Sequence, residues 1–172
     1  MLRSGTMLNY VFRAARESDV QAIADIYNAA VAEGGSTADL RPRTLEQRRE
    51  WVESHEPPYG VFVVEAPDGG VVAFGALSVF YDRAGYDGVT DLAYYIAPEW
   101  RRRGVGTFLL DNLLAEARER GMRKAIGIIF ADNAGSIALM HRFGFIRFGL
   151  LPVAATDAVG TMHGMSYWYL DL

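Results

Sequence analysis

The stretch that decides the fold lies at residues 94–107 and reads Tyr94-Tyr95-Ile96-Ala97-Pro98-Glu99-Trp100-Arg101-Arg102-Arg103-Gly104-Val105-Gly106-Thr107. It starts at the end of a β-rich run and leads into a segment whose apolar residues recur at helical spacing. Because glycine lets the backbone approach a ligand and a helix start has unpaired N–H groups, Gly104 and Gly106 are placed to hold an anion. Arg101, Arg102 and Arg103 add positive charge directly upstream. This pattern predicts an anion site, and the alternative is an ordinary solvated basic turn before an amphipathic helix.

On the C-terminal side of this motif, the chain alternates between helical and strand patterns. The apolar face of residues 104–120 predicts a helix, with Gly121 at its C-terminal cap. A strand follows at 125–130, and Asp132-Asn133 is placed to cap a shorter helix that ends near residue 142. The last two strands are expected at 145–151 and 165–170.

On the N-terminal side, residues 10–13 predict a short strand, and Ser18-Asp19 is placed to cap a helix. Thr44 and Gln47 resemble a capping box for a second helix that runs through Trp51. Further strands are expected at 61–65, 71–80 and 89–96. The order predicts an α/β fold with a sheet of mixed direction, built as a single domain from residues 10–172. Residues 1–9 are expected to be a disordered tail.

The composition narrows the classes of function. The chain has 172 residues, of which 51% are hydrophobic, and a net charge of -4. Since its charges are scattered and it has no long uncharged apolar run, nucleic acid and membranes are poor candidate partners and a cytoplasmic location is the default. The absence of cysteine excludes disulfides, thiolate metal sites and cysteine nucleophiles, and the three histidines lack the spacing of metal ligands. No metal is therefore expected.

Residues 94–106, together with 132–139 and Gly144-Phe145, resemble the GNAT acetyltransferase superfamily, and within it the phosphinothricin acetyltransferase-like branch. The resemblance runs from about residue 11 to 172 and includes Asp25-Ile26-Tyr27-Asn28, Thr44, and Tyr167-Trp168-Tyr169-Leu170-Asp171. It implies a mainly antiparallel sheet of about six to seven strands flanked by about four helices. It also implies acetyl-CoA as cosubstrate and a homodimer.

The resemblance assigns the cofactor contacts residue by residue. Tyr94, Tyr95 and Ile96 would pair by backbone with the pantetheine arm. Asn133 and Ser136 would contact the cofactor further along, although Asn133 has an equally good reason to be there as a helix cap. The pyrophosphate would be held by Arg101, Arg102, Arg103, Gly104, Val105, Gly106 and Thr107.

Asp91 is the candidate general base. An amine must lose a proton before it attacks a thioester, and aspartate is uncommon within a strand such as 89–96, where it shares a face with Ala93 and Tyr95. In the family branch this position is a glutamate, so the carboxylate arm is shorter here. The alternative is a structural carboxylate at the edge of a strand.

The acid that would protonate the leaving thiolate and the residues that would bind the acceptor come from the resemblance alone. Met140 occupies the position where the branch often has a histidine, and His141 is one residue later. Arg83 and Tyr86 match residues beside the acceptor site, where a guanidinium suits a carboxylate, and His163 matches a histidine near the C-terminus. Alternatively, Arg83 is a solvated loop residue.

The resemblance therefore predicts transfer of an acetyl group to the primary amine of a small amino-acid-like acceptor, by direct attack in a ternary complex. Two other hypotheses stay open. A CoA-binding sensor or pseudoenzyme would keep the anion site and lack the chemistry, as the shortened Asp91 and the Met140 replacement allow. A protein N-terminal acetyltransferase would need an open groove for a peptide.

Overall fold

The computed structural model describes residues 9–172, so the predicted tail lies outside the described residues except for Asn9. Four α-helices flank one sheet: α1 (Val20–Glu33), α2 (Leu45–Glu53), α3 (Val105–Glu119) and α4 (Ala134–Arg142). The sheet has seven strands among these residues: β1 (Val11–Ala14), β2 (Gly60–Glu65), β3 (Val71–Val79), β4 (Val89–Ile96), β5 (Lys124–Phe130), β6 (Ile146–Thr156) and β7 (Met162–Asp171). The predicted α/β fold with a mixed sheet is confirmed.

The strand order is β1-β2-β3-β4-β5-β7-β6, and every neighbouring pair is antiparallel except β4 with β5. The parallel pair is short, since only Val89, Thr90 and Asp91 of β4 face partners on β5. Beyond Asp91 the two strands have no register partners, whereas β4 stays paired with β3 as far as Ile96. The sheet is therefore split at its centre.

Each face of the sheet carries its own apolar core. On one face, α1 packs Ile23 and Val31 against Val63 and Phe74 of the sheet. On the other, α3 packs residues such as Leu109, which is fully buried. Buried apolar surface contributes roughly 25 cal/mol per Å², so these two layers fix α1 and α3 on opposite faces of the sheet. None of the helices formed by residues 9–172 combines the length and the apolar character that crossing a bilayer requires.

Two of the three predicted N-terminal cap interactions are present. Thr44 and Gln47 form the reciprocal capping box at the start of α2, and the Asn133 side chain accepts a hydrogen bond from the Ser136 N–H at the start of α4. The cap predicted at Ser18-Asp19 is wrong in its mechanism. Asp19 makes no cap hydrogen bond to α1 because the Arg13 guanidinium (2.7 Å) and the Arg16 N–H (2.7 Å) already occupy its carboxylate.

The last two strands extend beyond the predicted 145–151 and 165–170. The β6–β7 pairing continues to Thr156 and Met162, after a shift of register between Leu151 and Ala155. The shift accommodates Pro152, which has no N–H to donate, and Val153, which has a φ of 50°. A proline inside a strand pattern signals its end, which explains why the sequence predicted a shorter strand.

Candidate active site

A cleft of about 510 Å³ opens where β4 and β5 separate. It is lined by three consecutive residues of β4, Tyr94, Tyr95 and Ile96. Side chains of a strand alternate between its two faces, so three neighbours can line one cleft only if it runs along the edge of the strand, at the level of the backbone. The β5-facing edge of β4 therefore presents main-chain groups to the cleft, as a sheet edge does to an added strand.

The start of α3 forms one end of this cleft. Gly104 is the N-cap, in the left-handed region with a φ of 80°, and a Cβ there would meet no atom within 4 Å. No side chain caps the helix, and the first-turn N–H groups of Val105, Gly106 and Thr107 have no acceptor within the helix. Together with the helix dipole, these free donors make an anion site built from main chain.

The three arginines before α3 diverge. Arg102 lines the cleft and has a φ of 59°, and Arg101 lines it while pairing with Glu33 at 2.7 Å. The Arg103 guanidinium instead lies 5.0 Å from the Trp100 ring and is not part of the cleft wall. The Val105 side chain is buried in the core, so only its N–H faces the anion site. Ten of the twelve predicted cofactor residues thus line the cleft, and Arg103 and Val105 do not.

Helix α4 supplies the opposite wall. Asn133 and Ser136 both line the cleft, and the Asn133 carboxamide oxygen accepts from the Ser136 N–H at 3.1 Å. Capping is thus one observed role of Asn133. Because the residue also lines the cleft, it can contact a ligand there as well. The buried Tyr94 hydroxyl makes no well-aligned hydrogen bond among residues 9–172, although the Ser136 side chain is near it, and burial raises its pKa. An unpaired polar group at this depth is costly unless a ligand or water completes it.

Asp91 is the last residue of β4 that pairs with β5, so it lies at the point where the sheet splits. Its Oδ1 is buried without a hydrogen-bond partner among the described residues. Loss of solvation on burial raises the pKa of this carboxyl to about 7, an effect that the Leu92 N–H only partly offsets. Asp91 is thus a carboxyl that exchanges a proton near neutral pH at the point where β4 and β5 separate, three residues before the part of β4 that lines the cleft.

The residues predicted to bind the acceptor are spread apart. Arg83 and Tyr86 are exposed in the β3–β4 loop, where Tyr86 packs against Phe80 and Tyr81, and none of these residues lines the cleft.

His163 is buried outside the cleft wall, with both ring nitrogens engaged. Its Nδ1 is 2.8 Å from the Asp132 carboxylate and its Nε2 is 2.9 Å from Asp157. The His163 hydrogen bond is the main reason that the pKa of Asp157 falls to about 2. Asp157 also accepts from the Gly35 N–H at 2.9 Å, and Gly35 belongs to the cleft wall. The structure therefore places His163 where it braces the wall and has no free nitrogen for a substrate.

Met140 is fully buried, and its sulfur lies where a Cβ on Gly127 of β5 would come within 2.9 Å. His141 is exposed and packs edge-on against Trp168. Neither residue lines the cleft.

Arg48 is a buried charged residue that the sequence did not reveal, and like Arg83 it does not line the cleft. It is only 6% exposed, and its guanidinium lies 4.0 Å from the centre of the Tyr27 ring and 4.7 Å from that of Trp51. Its Nε has no acceptor among residues 9–172, and burial lowers its pKa. In the sequence Arg48 stands within a charged run typical of an exposed helix face. Its spacing of three residues from Trp51 allows the two side chains to meet on a helix but does not indicate that Arg48 is buried.

No group of three or more His, Asp or Glu side chains converges as metal ligands would within the described part of the chain.

The cleft has the shape and chemistry of a site for a ligand with an extended arm and an anionic end, because it combines the free edge of β4 with the uncapped start of α3. The family model of the acetyltransferase (GNAT) family matches residues 7–145. The chain belongs to this family, and it is an acetyl-CoA-dependent N-acetyltransferase.

Known proteins agree with this assignment along nearly the whole chain. The L-methionine sulfoximine/L-methionine sulfone acetyltransferase of Salmonella typhimurium is 31% identical over 81% of this chain and 82% of its own. The structure of a phosphinothricin acetyltransferase (Pat) from Sinorhizobium meliloti in complex with AcCoA has a TM-score of 0.88 and 25% identity, covering 96% of this chain and 89% of that one. The structure of a ribosomal-protein-alanine N-acetyltransferase from Brucella melitensis has a TM-score of 0.88 and 32% identity, covering 94% and 99%.

Proposed function

We propose that this enzyme acetylates the primary amine of a small amino-acid-like acceptor by direct attack in a ternary complex, with Asp91 as general base. The observation that carries the proposal is a carboxyl at the point where β4 and β5 separate, whose Oδ1 is buried without a partner and whose pKa burial raises to about 7. Relatives named for phosphinothricin and for methionine sulfoximine support an acceptor of this class.

The residues present fit acetyl-CoA, which supplies the activated acetyl group as a thioester. The free edge of β4 at Tyr94–Ile96 would pair with the amides of the pantetheine arm. The N–H groups of Val105, Gly106 and Thr107, with the Arg102 guanidinium, would hold the diphosphate. Asn133 and Ser136 would line the arm from α4, close to the unpaired Tyr94 hydroxyl.

Asp91 would take the proton that an ammonium must lose before it attacks. A side-chain amine has a pKa of about 10.4 and a peptide α-amine one of about 7.7 to 8.0, so either kind of amine is mostly protonated at pH 7 and must give up a proton. A base is most effective when its pKa lies near the working pH, and burial brings the pKa of Asp91 to about 7.

An amino-acid-like acceptor also needs a partner for its carboxylate, and Arg48 is the stronger candidate of two guanidinium groups. Arg48 and Asp91 lie on the same side of the sheet. Trp51 of α2 packs against Phe74 on this face, and Asp91 shares the face with Tyr95, which packs in the same cluster. A buried guanidinium whose Nε lacks an acceptor is costly, even with the Tyr27 and Trp51 rings beside it. Asp39, whose charge also acts on Arg48, is already bound by Arg43 and Tyr27. The exposed Arg83 has no such need for a partner.

We expect Arg48→Gln to lower kcat/KM for an amino acid about 10- to 100-fold more than for its carboxamide, since a hydrogen bond to a charged group contributes roughly 1.5 to 3 kcal/mol. The measurement is the ratio of kcat/KM for the amino acid to kcat/KM for its carboxamide, because this ratio does not depend on how much of the enzyme is folded. Arg83→Gln is the matched comparison and should leave the ratio unchanged. If Arg83→Gln alone lowers the ratio, the acceptor carboxylate binds in the β3–β4 loop.

The acceptor class is tested by following free thiol release from acetyl-CoA with methionine sulfoximine, phosphinothricin, the common amino acids and a peptide with an N-terminal alanine. The proposal predicts turnover on one or more of the amino-acid-like compounds. Turnover on the peptide alone would favour N-terminal acetylation of a protein, which the likeness to the ribosomal-protein-alanine enzyme makes the second candidate. Tight CoA binding without turnover on any amine would favour a sensor.

We also infer that the enzyme is a homodimer that buries β6. This strand is at the edge of the sheet and exposes Ile146, Phe148 and Leu150, each more than half accessible. An edge strand with exposed apolar side chains is a template for pairing unless another chain covers it. Light scattering should give twice the chain mass, and Phe148→Lys should give the monomer. Val11→Lys, at the opposite edge of the sheet, should leave the mass unchanged, and a monomeric parent protein would contradict the inference.

A further inference from the structure

A short series of hydrogen bonds leads from the end of α2 to the residue that faces Asp91. The His55 ring follows α2, with its Nδ1 2.7 Å from the Trp51 carbonyl oxygen and its Nε2 2.8 Å from the Ser78 hydroxyl. Ser78 lies on β3, directly opposite Asp91 of β4. Side chains of directly opposed residues share one face, with Cβ atoms about 5 Å apart. His55 therefore holds the hydroxyl of the residue opposite Asp91, and that hydroxyl makes no hydrogen bond to Asp91 in this structure.

The partners of His55 fix which of its ring nitrogens carries the hydrogen. A carbonyl oxygen only accepts, so Nδ1 must donate to Trp51. Burial, with the nearby charge of Arg48, lowers the pKa of His55 and keeps the ring neutral at pH 7. A neutral imidazole has one N–H, so Nε2 has a lone pair and accepts the hydrogen of the Ser78 hydroxyl.

The direction of that hydrogen bond decides what Ser78 offers to Asp91. A hydroxyl has one hydrogen, and His55 takes it, so Ser78 presents only lone pairs to its neighbours. Lone pairs can accept from a protonated carboxyl and cannot donate to a carboxylate. From β5, Asp91 is faced by the apolar Ile126, and the Leu92 N–H is the one hydrogen bond that stabilises its charge. Among the described residues, no charged group acts on its titration.

We propose that His55 is a positioning residue for the candidate base: by accepting the Ser78 hydrogen, it keeps Ser78 from donating to Asp91 and so favours the protonated carboxyl. His55 thus makes Asp91 a better proton acceptor without touching it. The inference rests on the proposed role of Asp91 as base, but what it asserts is that the Ser78 hydroxyl donates its hydrogen to His55 and not to Asp91.

A double-mutant cycle with carbon-13 NMR titration of the Asp91 carboxyl tests this directly, with Asp91→Asn to assign the signal. His55→Phe frees the Ser78 hydroxyl to donate to the carboxylate, so the titration midpoint should fall by about one pH unit. In a Ser78→Ala background the same substitution should cause no further shift, because the hydroxyl is gone. The control His141→Phe, a histidine outside the cleft wall, should leave the midpoint unchanged.

A second variant protects the test against misfolding. His55→Asn keeps a donor near the Nδ1 position for Trp51 and has no atom at the Nε2 position, so it should lower the midpoint as His55→Phe does. An unchanged midpoint in both variants, or an equal shift with and without Ser78, would overturn the proposal. Because the titration needs no substrate, an enzyme that acetylates none of the amines tested would contradict the proposed function and leave this result readable. If the amines do react, the acidic limb of kcat/KM should shift in the same direction.

Discussion

Asp91→Asn is expected to lower kcat by about 100-fold or more while leaving the dissociation constant of acetyl-CoA within about twofold, since a positioned general base contributes roughly 10²- to 10⁴-fold. The amide is nearly the same size as the carboxylate and cannot take a proton from the acceptor amine. Asp91 lies where β4 and β5 begin to separate and does not line the cleft, whose wall includes Tyr94–Ile96 and the start of α3, so cofactor binding should persist. Thiol release measures kcat, and calorimetry measures acetyl-CoA binding.

The pKa of Asp91 also fixes the direction of two pH effects. The carboxylate is the active form, so kcat/KM should rise with pH and level off above about 7.

The stability of the folded protein should change in the opposite direction. The folded state holds this proton more tightly than the unfolded state, whose carboxyl has the ordinary value of 3.8, so the free energy of unfolding falls as pH rises from about 4 to 7. Asp91→Asn should therefore melt at a higher temperature than the parent at pH 8, with little difference at pH 4. Equal turnover of parent and variant across this range would remove Asp91 from the mechanism.

Arg102→Glu is expected to raise the KM for acetyl-CoA by about 10- to 100-fold with little change in kcat, because a charge-assisted hydrogen bond contributes roughly 1.5 to 3 kcal/mol. Arg102 lines the cleft beside the uncapped N–H groups of α3, and in the described residues it makes no ion pair that the substitution would break. Initial rates at varied acetyl-CoA concentration give both constants.

The matched control for this prediction is Arg103→Glu, one residue along the chain. Its guanidinium stacks near Trp100, outside the cleft wall, so the KM for acetyl-CoA should change by less than about threefold, the effect of a distant charge. Equal effects of the two substitutions would mean that the arginines act through their general field. A larger effect at Arg103 would contradict the structure of this turn.

The parts of the fold that the sequence predicted are those where a local rule and the tertiary contacts agree. The two glycines at 104 and 106, followed by a regular apolar face, predicted where α3 begins and which side it buries. Thr44 and Asn133 cap their helices because no other group competes for their side chains. Asp19 shows the opposite case, since Arg13 is remote from α1 in pattern but adjacent in space and takes its carboxylate.

The site was less predictable because its character depends on burial and on contacts between distant segments. Nothing in the local sequence shows that Arg48 is buried between Tyr27 and Trp51, or that His55 reaches Ser78 across 23 positions. The carboxyl of Asp91 was noticed as unusual for a strand, but its raised pKa follows from the place where β4 and β5 separate. The divergence of Arg102 and Arg103 is set by backbone angles that the sequence does not specify.

A crystal structure with acetyl-CoA and a slow acceptor analogue tests the central claim most directly. The diphosphate oxygens should accept hydrogen bonds from the N–H groups of Val105, Gly106 and Thr107, and the thioester carbon should lie beside Asp91, at the end of an arm paired with β4. If the diphosphate binds away from the start of α3, or if the thioester lies on the side of the sheet remote from Asp91, this account of the site is wrong.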